Sequence, residues 1–310
     1  MYPLSSVDLK SKHILSPNCK ILQESNGLML CESVTSWDRY QGSLSVLNTN
    51  TGRKVFPSSV EAREGNANAK RSKRTILRGY VQKMSTTMAF DPLMSPASFQ
   101  LISIWSHRDD LNSNYRIEVY TSKTDNWRLC YRNQNLVHHL DITPTNSILM
   151  KPGVYWNNSV NWLNTDGGLV FYKIGKKLLN SVAPPLAQSY TNCYFDQCRG
   201  DLILVQISIS AGTLKVFDMN LDHSGWGFKH SIELHLMSPE FPGSAFRVLL
   251  ADIGEDSESV YLVAKGSRLF SINQGKMLVR DLGVQLQNPG SFNTFKYIDT
   301  IPDCCFAQAD

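Results

Sequence analysis

Residues 153–162 read Gly-Val-Tyr-Trp-Asn-Asn-Ser-Val-Asn-Trp. Val154-Tyr155-Trp156 and Ser159-Val160-Asn161-Trp162 are strand-like segments, and only Asn157-Asn158 stands between them. Asn tolerates the positive φ that a two-residue type I′ turn needs, so the stretch reads as a tight β-hairpin. On this reading Trp156 and Trp162 fall on comparable faces. Working outward, sustained helical periodicity is hard to find. Short apolar runs, alternating or continuous and bounded by Gly, Asn, Asp and Ser, take its place. Leu202-Ile203-Leu204-Val205 is apolar on both faces and predicts an interior strand. Phe246–Asp252, Val260–Ala264, Arg268–Ile272 and Lys276–Leu282 read as a four-strand meander, turned at Lys265-Gly266 and Asn273-Gln274-Gly275. The predicted class is all-β.

The meander recurs. A strand, a polar turn and an apolar residue opening the next strand appear as Ser45–Asn48 with Thr51-Gly52 and Phe56, then as Glu118–Tyr120 with Thr124-Asp125 and Trp127. They return as Leu169–Tyr172 with Gly175 and Leu178, as Lys215–Asp218 with Asp222 and Trp226, and as Leu269–Ile272 with Gly275 and Leu278. The steps Val119 to Phe171, Phe171 to Val216 and Val216 to Phe270 are 52, 45 and 54 residues. Their mean is about 50, the repeat length of kelch propeller blades. We therefore expect a kelch-like β-propeller of five or six blades, each a four-stranded antiparallel sheet, whose closure removes exposed sheet edges.

At 310 residues the chain has room for one large domain or two small ones. It is 42% hydrophobic with 31 Lys and Arg against 27 Asp and Glu, too apolar and too balanced in charge for a disordered chain. No apolar stretch reaches the roughly 18 residues of a spanning helix. Ser, Lys, Asp and Asn interrupt Met1 to Asn26, so no signal-peptide core is expected there. Seven scattered cysteines, an odd number, predict reduced thiols and a cytoplasmic or nuclear setting. Lys70, Arg71, Lys73 and Arg74 carry the whole formal charge of +4, in a segment (58–78) expected to be a flexible basic loop. The remainder is neutral, which argues against general nucleic-acid binding.

A search for chemistry finds little. Cys193 and Cys198 lack a second Cys/His pair at zinc spacing, His138-His139 is a lone adjacent pair, and Cys304-Cys305 is vicinal near a terminus. No G-x-S-x-G, P-loop or G-x-G-x-x-G pattern occurs. Acidic residues sit in turns, where Asp shapes backbone. Asn157-Asn158-Ser159 spells a glycosylation sequon, read here as inert in its hairpin turn. No catalytic, cofactor-binding or metal-ligating residue is assigned. Trp127, Trp156, Trp162 and Trp226 fall at repeat landmarks and are expected to pack between blades. Binding is expected from rim loops such as Ser106–Asn114 or Met237–Ser244, with no substrate-binding residue named.

Six blocks, in order, resemble a known family. Ser25-Asn26-Gly27-Leu28-Met29-Leu30-Cys31 is similar to an "S-x-NGLLL" opening, and Asn48-Thr49-Asn50-Thr51-Gly52 with Phe56-Pro57 to "NPTT…LP". Met88-Ala89-Phe90-Asp91-Pro92 with Ser95-Pro96 resembles "lAFDP…SP", and Tyr115 to Trp127 resembles "y-IeVYsS-tg-W". Residues 153–162 resemble "gVYwNGaiHW", with Asn158 in place of Gly and Asn161 in place of His. Asp222-His223-Ser224-Gly225-Trp226, with Phe228-Lys229-His230 and Glu233-Leu234, resembles "D-y-SgW-vKY-vdL". The family they resemble is the F-box-associated β-propeller region of plant F-box proteins.

The resemblance implies a non-catalytic substrate receptor of a Skp–cullin–F-box ubiquitin ligase. The propeller would select the protein target, and an F-box would dock on the Skp-type adaptor. It places the propeller at 25–303, between an N-terminal segment (1–24) and a tail (304–310). Leu4, Leu9, Ile14 and Leu15 are too few for a three-helix F-box within 1–24. The adaptor is therefore an expected partner only if an F-box lies upstream. Membrane and specific nucleic-acid partners are not expected. The alternative is a stand-alone protein-interaction or glycan-binding propeller.

Overall fold

The computed structural model describes residues 19–33, 43–57, 81–95, 98–109, 112–132, 152–164, 167–185, 193–208, 212–233, 247–252, 259–263, 268–273 and 278–285. They form twenty strands in five four-stranded antiparallel sheets, an all-β architecture consistent with a β-propeller. Sheet 1 holds β1 (Cys19–Ser25), β2 (Leu28–Ser33), β3 (Ser43–Asn48) and β4 (Lys54–Val55). Sheet 2 holds β5 (Val81–Ala89), β6 (Gln100–Asp109), β7 (Asn112–Thr121) and β8 (Asn126–Arg132). Sheet 3 holds β9 (Val154–Trp156), β10 (Ser159–Leu163), β11 (Leu169–Lys173) and β12 (Leu178–Val182). Sheet 4 holds β13 (Cys193–Cys198), β14 (Asp201–Ser208), β15 (Thr213–Met219) and β16 (Trp226–Glu233). Sheet 5 holds β17 (Arg247–Asp252), β18 (Ser259–Val263), β19 (Arg268–Asn273) and β20 (Leu278–Gln285). Every sheet runs in chain order as a meander. All five sequence landmarks coincide with the hairpin joining a sheet's third and fourth strands. The first strand begins at Cys19, ahead of the block at residue 25.

The chain divides into two compact units, one of residues 1–135 with 296–310 and one of residues 136–295. In the first, sheets 1 and 2 bury Leu28, Leu30 and Val46 against Met88, Phe90, Phe99, Leu101 and Tyr120. Gln23 of β1 reaches across to β5, where its Nε2 donates to Met88 O (3.1 Å) and its Oε1 accepts from Met88 N (2.7 Å). Farther along the same interface Lys83 pairs with Glu32 at 3.1 Å; within β7 itself, buried Glu118 is ion-paired with Arg116 two residues away. A smaller cluster of Met29, Cys31 and Leu47, flanked by Cys19 and Ile21, covers the other face of sheet 1. There burial and the neighbouring Cys19 push the Cys31 thiol up to about 12, so it stays protonated.

In the second unit, sheet 3 contributes Val154, Trp156, Leu169 and Phe171 to a core shared with Leu202 and Met219 of sheet 4. Leu163, Leu204 and Phe217 extend it. β14 lies inside its sheet, with Leu202 to Val205 fully buried, as the two-faced apolar run predicts.

The hairpin at 157–158 forms as predicted, with φ of 47° and 54° at Asn157 and Asn158. Its register, Trp156 opposite Ser159 and Val154 opposite Asn161, corrects the expectation for the tryptophans. Side chains alternate along a strand, so residue 162, an odd step from 159, faces away from Trp156. Trp156 joins the core shared with sheet 4, whereas Trp162 is buried on the opposite face beside Gly153. The basic segment at 58–78, His138-His139, Cys304-Cys305 and Met237–Ser244 lie outside the described residues.

Gly153 makes this packing testable. A Cβ there would stand 2.7 Å from Asn161 O and 2.8 Å from the Trp162 indole, both held in the sheet. Gly153→Ala is expected to destabilise the protein by about 1–3 kcal/mol, the usual range for overpacking. Gly225, which has nothing within 4 Å of an added Cβ, should accept alanine with little change. Denaturant midpoints of the two variants against the parent check the contrast.

Candidate functional site

The turns joining the first and second strands of sheets 3 and 4, and those joining their third and fourth strands, gather at one end of the second unit. Trp156 Nε1 donates to Gly200 O at 2.6 Å, and Asn157 Nδ2 donates to Leu221 O at 2.6 Å. Within sheet 3, Ile174 N donates to Asn158 O at 3.2 Å and ties the turn at 174–177 to the hairpin turn. Arg199, Gly200, Lys177 and His223 all have positive φ, so the backbone at this end is sharply folded.

His223 is the centre of the arrangement. Its turn is closed by His223 N donating to Asn220 O (2.9 Å) and Asn220 N donating to Gly225 O (3.0 Å), with Asp222 Oδ1 accepting from Ser224 N at 2.8 Å. A φ of 62° at His223 turns its ring into the side of sheet 3. There it stacks on Phe171 at 4.1 Å and meets Trp156 edge-on at 5.1 Å between centroids. Asn161 Nδ2 donates to Val154 O (3.1 Å) and Ser159 O (3.3 Å), so its Oδ1 is the acceptor that faces His223 Nε2 at 3.0 Å. The imidazole therefore carries its proton on Nε2. Burial, reinforced by the Lys173 ammonium and opposed by Asp222, lowers its pKa to about 4. The ring is neutral at physiological pH. Hydrogen bonds from Ser224 hold the Asp222 carboxyl below its usual range.

This is a clamp more than a reaction centre: both partners of the Asn161–His223 bond are buried, and neither faces solvent. Among the described residues, no group of three or more His, Cys, Asp or Glu side chains could hold a metal ion. Cys193 and Cys198 are the two ends of β13, an odd step apart and so on opposite faces, about 16 Å apart along an extended strand. The four singled-out tryptophans sit in or against the core. Trp156 and Trp162 are buried, Trp127 packs at a tilt against Tyr120 at 5.5 Å, and Trp226 meets Phe195 edge-on at 6.4 Å. Of the expected rim segments, Ser106–Asn114 falls on the β6–β7 hairpin, with His107 opposite Asn114 and Asp109 opposite Asn112. Sequence reasoning left His223 unassigned. The available signal was Asn161, standing where the resemblance has His, with a histidine in the turn that reaches it.

No family model matches the chain. It is similar to a curated F-box protein of Arabidopsis thaliana, 23% identical over 239 residues, which is 72% of this chain and 50% of that protein. The chain thus spans half the length of the curated relative it matches. Solved structures with a similar backbone include a Lactobacillus plantarum protein, at 8% identity and a TM-score of 0.43 over 84% of this chain and 69% of that one. Apo AztD from Citrobacter koseri is also 8% identical, with a TM-score of 0.35 over 83% of this chain and 57% of its own. No described helix is long and apolar enough to cross a membrane.

The clamp predicts a pH dependence. Folding lowers the His223 pKa from 6.5 to about 4, so between these values the unfolded chain binds more protons. Stability should therefore fall as pH drops through this window and level off, for this group, below about 4. His223→Asn keeps a residue that tolerates positive φ but removes the titration. Its stability should be lower at neutral pH, and the difference from the parent should shrink on acidification. Urea midpoints of both proteins between pH 7 and pH 4 measure this.

Proposed function

We propose that the chain is the target-binding part of an F-box-type ubiquitin ligase receptor and does no bond chemistry itself. The observation that carries this reading is the 23% match to a curated F-box protein along 72% of the chain. The stacked four-stranded sheets, kelch-like on this reading, support it by offering a rigid scaffold with turns at one end, the kind of platform on which recognition loops are usually carried. The expected domain at 25–303 would be the recognition domain. The ligase would contribute proximity, raising the effective concentration of a target lysine near the ubiquitin-conjugating enzyme. We place the work in the cytoplasm or nucleus, the setting that seven scattered cysteines, an odd number, suit best.

Tagging the protein at its own locus and purifying it from native tissue tests the reading. Retention of a Skp-type adaptor and a cullin is expected, with at least one co-purifying protein whose ubiquitination drops when the receptor is depleted. Loss of the adaptor under conditions where a full-length F-box relative retains it would refute the ligase role.

A further inference from the structure

The turn end of sheets 3 and 4 presents more than the clamp. Leu221, at the tip of the His223 turn, is 72% exposed, and Leu178, opening β12, is 43% exposed. Neither is a loose side chain on a loose loop. Leu221 O accepts the 2.6 Å bond from Asn157, and Leu178 is paired across the strand with Lys173. Lys176 and Lys177 are exposed on the turn between them, and Arg199 is exposed on the turn whose Gly200 accepts from Trp156. The acidic groups at this end are largely spoken for. Asp222 lies close enough to Lys173 to interact with it, and Asp201 is engaged by Lys229 at 3.2 Å. Two aliphatic side chains thus stand on a fixed backbone within a field that is net positive.

We propose that this surface, centred on Leu178 and Leu221 and edged by Lys176, Lys177 and Arg199, is the seat of an acidic segment of a partner protein that carries a large apolar side chain. The cations would steer and register the acidic residues, and the leucines would take up the apolar anchor. A nucleic acid fits less well. Its affinity comes largely from many phosphate contacts, whereas the surface named here offers three cations, and the exposed aromatic on β16, Phe228, packs edge-on against Phe217. The inference rests on the receptor reading and supplies the class of target, but it is measured without the ligase.

The probe is a fluorescein-labelled peptide with a run of Asp and Glu around one Leu, titrated with the purified full chain. Its counterparts replace every acid by Lys, or the Leu by Ser. Binding of the acidic peptide is expected to weaken about tenfold in K176E/K177E and in L221S, and for the Ser counterpart. It should also weaken when salt rises from about 0.1 M to about 1 M, which shortens the screening length from about 10 to about 3 Å. These side chains are exposed, so unchanged thermal unfolding of the variants separates lost binding from lost fold. No binding of the acidic peptide, equal binding of the Lys counterpart, indifference to K176E/K177E and L221S, or equal binding of a single-stranded oligonucleotide would each overturn the proposal. The receptor reading fails separately, through loss of the adaptor in the purification above.

Discussion

Two backbone carbonyls, Leu221 O and Gly200 O, each accept a 2.6 Å bond from a side chain of the neighbouring sheet. They fix how sheets 3 and 4 meet at their turn end. A hydrogen bond between two polar groups has modest net worth, but a donor left unmade in a packed interface costs more. Trp156 illustrates the constraint. Its ring belongs to the apolar core with Leu202 and Met219, and its N–H finds an acceptor in the Gly200 carbonyl. The positive φ at Gly200, 97°, is part of the turn that holds that carbonyl in place. His223 completes the joint by filling the space between Trp156 and Phe171 with an aromatic ring whose one donor is satisfied by Asn161.

The first unit solves the same problem with different residues. Gln23 spans from β1 to β5 and satisfies both the amide and the carbonyl of Met88, again a side chain reaching backbone across two sheets. Beyond it the interface turns ionic, with Lys83 of β5 paired to Glu32 of β2. A half-buried pair such as Lys83–Glu32 is weak support for stability, because desolvation and solvent screening offset much of the attraction. It does penalise any arrangement of the two sheets that would separate the charges. Apolar packing holds the sheets together, and the polar bridges select the one way they meet.

Most of the architecture was legible because turn chemistry is local. Asn26-Gly27, Asn157-Asn158 and the Asn48 to Gly52 segment carry their own instructions. Asn48 Oδ1 accepts from Asn50 N and Thr51 N, and Asp91 Oδ1 from Leu93 N and Met94 N, so spacing alone marks where the chain reverses. The family-like blocks coincide largely with these turns and the strands they open, which is why they report fold more readily than target. The faces of Trp156 and Trp162 were misread because parity depends on which residues pair across the turn, and the pairing of Trp156 with Ser159 places 162 on the far side. The His223–Asn161 bond was legible only as the departure of Asn161 from the His of the family-like block, not as a pairing. It joins residues 62 apart, and local spacing does not bring the two together.

That separation shapes how the molecule comes together. The bonds that define the turn end join residues 44, 62 and 64 positions apart, all between one sheet and the next. Closing loops of this length carries an entropic cost that only finished meanders on both sides can offset. Such contacts belong late in folding, after each hairpin has zipped up by itself. Leu221 and its neighbours therefore gain their fixed positions only once both sheets are whole, and a nascent or damaged chain displays no such surface. Order at the turn end is thus a late readout of assembly, present only when both meanders are complete.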